Sequence, residues 1–316
     1  MNVGPIDVVY TWVDDRFPCY MDTLLKYAST GHDLNPNRTR DNLDLIKYSF
    51  RSIELYAPWI RHIYLVTCRP QIPQWLNTDN HKITIVHHDE IIVNEYLPTF
   101  NPFSILSHVH KIKGLSDYFL YIEDDMLFGN NVYISDFLSK DNKIIIYPRL
   151  GKTCHSKHRH SEQISPWNSA HAFSNYLLDD SYRHEGRNVV NHVPFMIDKQ
   201  TWQEMIKIWK KEFKQTWGNR FRSRYNIAPE YFYPYFMLYN NKAIRTSLFN
   251  TYSNTFYYGA DNFLLLALYG IHMIRLLKPK MYSINDNFGA KPDIRVTLRI
   301  RQFLDNLYPC QSAFEK

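Results

Sequence analysis

Asp117-Tyr118-Phe119-Leu120-Tyr121-Ile122-Glu123-Asp124-Asp125 is the stretch on which the reading of this chain turns, an apolar, β-rich run that delivers three adjacent carboxylates at its end. The first residues repeat the pattern: 6–13 is strand-like and ends on Asp14-Asp15. Between these two runs lie strand patterns at 60–67 and 83–87 and a polar loop at 29–40. Leu45, Tyr48, Ile53 and Tyr56 at helical spacing predict a helix over 41–56, stopped by Pro58, and 104–115 reads as a helix closed by Gly114. Strands alternating with helices predict an α/β fold, a mostly parallel sheet with helices on both faces. In such sheets ligands bind beyond the carboxyl ends of the strands, where these acids sit.

Farther along, 136–190 is polar and partly His-rich and is expected to be an insertion or subdomain covering the sheet. The expected division is an α/β core over 1–135, that insertion, and a mainly helical part over 191–316 completing the cleft. Asp198 reads as the N-cap of a helix reaching about 217, Pro229 opens another, and a third is expected over 260–268. The apolar stretch 263–274 falls short of the ~20 residues needed to span a bilayer and is expected to be a buried helix. Residues 294–307 alternate Arg295, Arg299 and Arg301 with apolar residues, a basic amphipathic helix that either packs on the body or turns these arginines to anionic lipid at the inner leaflet.

Composition narrows the function. With 45% hydrophobic and 22% charged residues the 316-residue chain can bury a core. It has 10 glycines, no two closer than eleven positions, so neither the dinucleotide fingerprint nor the P-loop can be written, and side chains or a metal must hold any diphosphate. A net charge of +6 suits an anionic ligand or membrane face and is too scattered to imply nucleic acid. Cys19, Cys68, Cys154 and Cys310 form no CxxC, as in reduced thiols, and no leader pattern opens the chain, so the expected location is the cytoplasm, with peripheral contact at the inner membrane.

Three adjacent carboxylates at the end of an apolar strand are costly to desolvate without a partner, and Mg²⁺ is the cation that carboxylates and phosphate oxygens prefer. A solvated acidic turn is the ordinary alternative, and the pair Asp14-Asp15 at the first strand end tips the reading toward a site. Arg40, Arg51 and Arg222, the last within the cluster Arg220–Arg224, are candidate phosphate donors, although each alone is more commonly a surface arginine. His192 lies outside any periodic element and becomes a base candidate if it meets a reacting hydroxyl, as do His108 and His110. Cys154, His155, His158 and His160 match no standard zinc spacing and read as a basic loop. The aromatic run 231–236 reads as packing.

In sequence order these motifs resemble the Stealth proteins, bacterial sugar-1-phosphate transferases of capsule synthesis related to the eukaryotic GlcNAc-1-phosphotransferase. The first block is Ile6-Asp7-Val8-Val9-Tyr10-Thr11-Trp12-Val13-Asp14. A second runs from Arg40 to Gly129 and includes Tyr48–Ile53, Ala57–Thr67, Leu97–Phe100, Ser107–Ser116 and Phe119–Gly129. His192-Val193-Pro194 with Phe221-Arg222-Ser223 resembles the third block, and Ile284-Asn285-Asp286-Asn287 the fourth. The chain departs from the pattern at Glu123, where the family usually has Asn, at Asp15, where it has Gly, and at Leu106, where it often has Glu.

The resemblance implies a GT-A-like fold and transfer of sugar-1-phosphate from a nucleotide-diphosphate sugar, UDP-linked, to a glycan hydroxyl, releasing UMP. It implies a divalent cation, Mg²⁺, on Asp124, Asp125 and Asp286, substrate contacts from Asp14, Arg40, Asn42, Arg51 and Asn285, and catalytic roles for Asp124, His192 and Arg222. Two rivals remain at this stage: a metal-dependent glycosyltransferase that releases UDP, and a non-catalytic glycan- or membrane-binding protein.

Overall fold

The computed structural model describes residues 3–29, 32, 34 and 39–316, so the expected loop at 29–40 lies largely outside the described residues. In chain order its strands are β1 (Asp7–Thr11), β2 (Ile63–Thr67), β3 (Ile83–His87), β4 (Tyr118–Glu123), β5 (Met126–Phe128), β6 (Ile144–Ile146), β7 (Pro148–Lys152), β8 (Asn188–Val190), β9 (Phe195–Asp198), β10 (Ala243–Arg245), β11 (Thr255–Ala260) and β12 (Met281–Asp286). The helices are α1 (Tyr20–Tyr27), α2 (Leu45–Tyr56), α3 (His88–Ile91), α4 (Pro102–His108), α5 (Pro166–Ser181), α6 (Lys199–Ile208), α7 (Lys210–Gly218), α8 (Pro229–Tyr239), α9 (Leu248–Asn254), α10 (Leu264–Leu277) and α11 (Ile294–Leu307).

The main sheet has the order β3-β2-β1-β4-β9, parallel except for β9. Strands covered on both faces bury every side chain, which is why β1, β2 and β4 read as unbroken apolar runs. From β1 the chain steps to β2 and β3 on one side and then returns to place β4 on the other. The carboxyl ends of β1 and β4 therefore flank the point where the strand order reverses, the crevice in which α/β sheets bind ligands.

A second sheet, β11-β12-β5, is joined to the first by the turn that carries Asp124 and Asp125, between β4 and β5. β12 pairs antiparallel with β5, and the Ile284 amide donates to the Asp125 carbonyl (3.0 Å), so Asn285 and Asp286 arrive beside the acidic turn. The second sheet divides between two clusters: Met126, Phe128 and Met281 join the large cluster of the main sheet. Leu127, Tyr258, Tyr282 and Ile284 pack with α10 and α11, separately from the large cluster around the main sheet. Residues Ile144, Ala170, Phe173 and Leu178, in the stretch read as an insertion, belong to that large cluster.

Several expected elements change at their ends. α2 begins at Leu45 rather than near 41, because Asp41 Oδ1 accepts from the Leu45 amide (2.9 Å) from outside the helix. Asp198 does cap a helix, accepting from the Gln200 and Thr201 amides, but the helix breaks at Trp209 into α6 and α7. α4 starts on Pro102 and gives way to a 3₁₀ turn after His108. The expected third helix is α10, and it is longer and shifted: Ala260 lies in β11. The expectation that 263–274 is buried is wrong, since Phe263 is 60% exposed and Leu265 66%. Its apolar residues are spread around the helix, and only Ala267, Gly270, Ile271 and Ile274 face the body. No helix among the described residues is long and apolar enough to cross a membrane.

Candidate active site

A cleft of about 480 Å³ opens at the strand-order reversal. Its acidic part combines the Glu123-Asp124-Asp125 turn with Asp41 from the approach to α2 and Asn285 and Asp286 from the end of β12. Arg40 and Arg222 also line it, together with Tyr20, Phe100 and Phe221, whose rings pack on one another: Phe100 and Phe221 are stacked at 5.1 Å, and Tyr20 meets Phe100 edge-on at 5.8 Å. Arg222 is further held with its guanidinium 5.0 Å from the Phe103 ring.

The acids are not equivalent. Asp125 accepts from His192 Nε2 (2.9 and 3.1 Å to its two oxygens) and from Asn285 Nδ2 (3.1 Å). Burial opposes its charge, but His192 and these hydrogen bonds outweigh burial and hold the carboxyl below its usual range. His192 responds in kind. Burial would lower it, yet the Asp125 and Glu123 charges lift it to about 10. Among the described residues Asp124 has no such cation beside it. Burial first, and then the carboxylates of Asp41, Asp125 and Glu123, push it well above the ordinary carboxyl range. Burial also raises Asp41 to about 7, with Asp44 adding to it, and raises Asp286 despite a 2.6 Å hydrogen bond from Asn42 Nδ2.

Several buried carboxylates that raise one another's proton affinity make a site that favours a bound cation, and an oxygen-rich donor set suits a hard divalent one. Glu123, Asp125 and His192 offer ligand atoms that all lie within 4.8 Å of one another. This grouping differs from the expected trio, since it takes in Glu123 and His192, whereas Asp124 and Asp286 line the same cleft.

The other expected site residues divide. Arg40 lines the cleft with its guanidinium docked on Asp15 (2.9 and 3.1 Å). Asn42 reaches the site through Asp286. His192 stands against Asp125, outside the residues lining the cleft, with a quarter of its side chain exposed. Asp14 does not line the cleft: Arg16 closes both its oxygens (2.7–2.9 Å), and Gln71 ties its backbone from both sides. Arg51 is elsewhere altogether, gripping Glu315 (2.7 Å to each oxygen) and the Tyr308 carbonyl (2.9 Å). His108 and His110 are buried against backbone carbonyls of their own helix.

Two groups escape the sequence reading. Asp41 sits just before a helix and resembles a routine cap. Glu230 follows Pro229 in the first turn of α8, a place where acids are common, yet burial and the nearby Glu123 charge lift it to about 7. His171 Nε2 is 3.9 Å from Glu230 Oε1, but burial and Arg222 depress the imidazole to about 3, so the contact is not an ion pair.

The architecture and its cleft define an α/β protein with an acidic site at the sheet's reversal point. The model of the Stealth protein conserved region 2 matches residues 38–146, and that of conserved region 3 matches 191–239. The chain is 30% identical over 249 residues to a capsular polysaccharide phosphotransferase of Haemophilus influenzae, covering 77% of this chain and 68% of that one. It belongs to the Stealth family. An exopolysaccharide phosphotransferase of Streptomyces coelicolor is 31% identical over 316 residues, 99% of this chain and 52% of its own, so the chain spans about half the length of that relative. The mouse N-acetylglucosamine-1-phosphotransferase subunits alpha/beta are 47% identical over 126 residues, 40% of this chain and 10% of that one. Among solved structures, the galactosyltransferase LgtC is similar in overall layout at a TM-score of 0.45 and 9% identity, over 98% of this chain and 97% of that one.

Proposed function

We propose that this chain transfers a sugar-1-phosphate from a UDP-sugar to a hydroxyl of an acceptor glycan, forming a phosphodiester and releasing UMP, in capsular or other cell-surface polysaccharide synthesis. One observation carries the reading: carboxylates from two sheets and two arginines meet in a single cleft at the sheet's reversal point. The names of the relatives, phosphotransferases of surface polysaccharides, favour phosphoryl over glycosyl transfer.

In this reaction the acceptor oxygen bonds to the β-phosphorus while the bond from that phosphorus to the bridging oxygen breaks, and the electron pair leaves with UMP. Arg222, braced on Phe103, clamps the phosphates, and Arg40 adds charge from the rim. An aspartate of the cluster takes the acceptor proton, and His192, held protonated against Asp125, adds positive charge to the site. Asp124, Asp125 and Asp286, with Glu123 in reach, would hold Mg²⁺, which supplies charge neutralisation for the diphosphate.

The test is a panel of UDP-sugars with Mg²⁺ and an acceptor oligosaccharide, scored for the nucleotide released. UMP with phosphorus retained in the glycan is expected. UDP with a phosphorus-free product would overturn the reading in favour of glycosyl transfer.

A further inference from the structure

α10 is docked tightly by one face and bare on the other. A Cβ added at Gly270 would come within 2.7 Å of the Tyr258 ring, so the helix is pressed onto β11 with no room to turn. Its outer face carries Phe263 at its start, then Leu265, Tyr269 and Leu276 in one stripe. Ile294 and Leu298, one turn apart on α11, extend it, and all six are 57–66% exposed.

The two helices run side by side in the same direction. Asn262 binds their starts together, donating to the Phe288 and Lys291 carbonyls (3.0 and 3.2 Å) and accepting from the Asp293 amide (2.6 Å). Arg275 above the Phe303 ring, at 5.3 Å, marks the far end. The result is a broad apolar surface rather than scattered leucines, larger in kind than a soluble face needs.

The charge around it is mainly positive, with Asp261 just before α10 and Asp305 near the end of α11 as acids. Residues 261–302 hold seven Lys/Arg and three Asp, a net +4 of the chain's +6. Of those aspartates, Asp286 belongs to the cleft, and Asp293 caps α11 and pairs with Arg295. Arg275, Lys278, Lys291 and Arg299 are exposed around the apolar face, and α10 itself has no acid. Arg301 is different. It turns inward to the Asn42 carbonyl and Asp44, so the expected lipid-facing role does not extend to it.

We infer that this two-helix face lies on an anionic lipid bilayer, with the leucines and aromatic rings in the interface and the cations at the phosphate level. A second copy of the chain fits less well: two-fold pairing sets the same patch against itself and would bring these cations face to face. An anionic leaflet meets all of them favourably. The near end of the face is one loop from the site, because the Phe288 amide donates to Asp286 Oδ1 while its carbonyl is held by Asn262. Docking would therefore set the cleft beside the membrane surface.

Vesicle co-sedimentation of the full chain tests this. Binding to phosphatidylcholine vesicles containing phosphatidylglycerol should exceed binding to phosphatidylcholine alone by about tenfold or more and weaken with salt. Leu265→Glu with Tyr269→Glu, both at exposed positions, should reduce it about tenfold, and Lys291→Glu with Arg299→Glu several-fold, while circular dichroism stays that of the parent. The inference is overturned if the anionic vesicles are not bound, or if folded variants bind as the parent does. It is equally overturned if light scattering shows a lipid-free dimer that the Leu265/Tyr269 variant dissolves.

Discussion

Two sets of buried acids in this molecule are treated in opposite ways. Asp7 meets Arg61, Asp14 meets Arg16, Asp15 meets Arg40 and Glu315 meets Arg51, each carboxylate closed by a guanidinium. In the cleft, Asp124 has carboxylates as its main charged neighbours and is pushed toward its protonated form by burial first and then by them. The closed pairs hold elements together. The crowded acids cost the fold free energy, a cost sensible only where something cationic is to be bound.

The comparison breaks first at Asp124. Asp124→Asn should lower turnover by about 10³-fold, since a ligand of the proposed Mg²⁺ is lost. It should leave the melting temperature unchanged or raised, because like-charge repulsion is relieved. A destabilised Asp124→Asn protein with normal turnover per folded molecule would reverse the assignment.

Arg51→Met should do the opposite. The pair's side chains are 9% and 4% exposed, and stranding Glu315 should cost about 3–5 kcal/mol in urea unfolding. Turnover of the fraction that remains folded should be close to that of the parent. A selective loss of turnover would return Arg51 to the site.

Glu230 gives the smallest effect and tests the sign of crowding. Its folded value of about 7 lies above an unfolded glutamate, so the fold binds the proton more tightly and loses stability as pH rises through the interval between them. Glu230→Gln removes that dependence. In chelator-treated protein the variant should gain about 1–2 kcal/mol on the parent between pH 5 and pH 8, read by urea unfolding at each pH. A constant difference across that range would mean that Glu230 is already charge-compensated.

What could be read from the residues follows the range of each interaction. Parallel strands buried on both faces write themselves as apolar runs, so β1 to β4 were legible, and the acids at their ends pointed to the cleft. Arg51 was misleading because its partner is Glu315, 264 positions away, and nothing local announces it. Asp14 was misleading for the converse reason: Arg16, two residues on, satisfies it. The apolar run of α10 showed a helix but not which way its faces look, since hydropathy counts residues and exposure depends on what packs against them. Asp41 enters the site only because the turn after β4 passes beside it.

The turn carrying Asp124 and Asp125 leads into β5, whose residues divide between two hydrophobic clusters, Met126 and Phe128 in one and Leu127 in the other. Asp124 follows the end of β4 and Asp286 ends β12, so a slight shift between these two strands would part the proposed ligand set while both interiors stay dry. Warming should therefore silence such a protein before it melts, and spectra that follow secondary structure would miss the event.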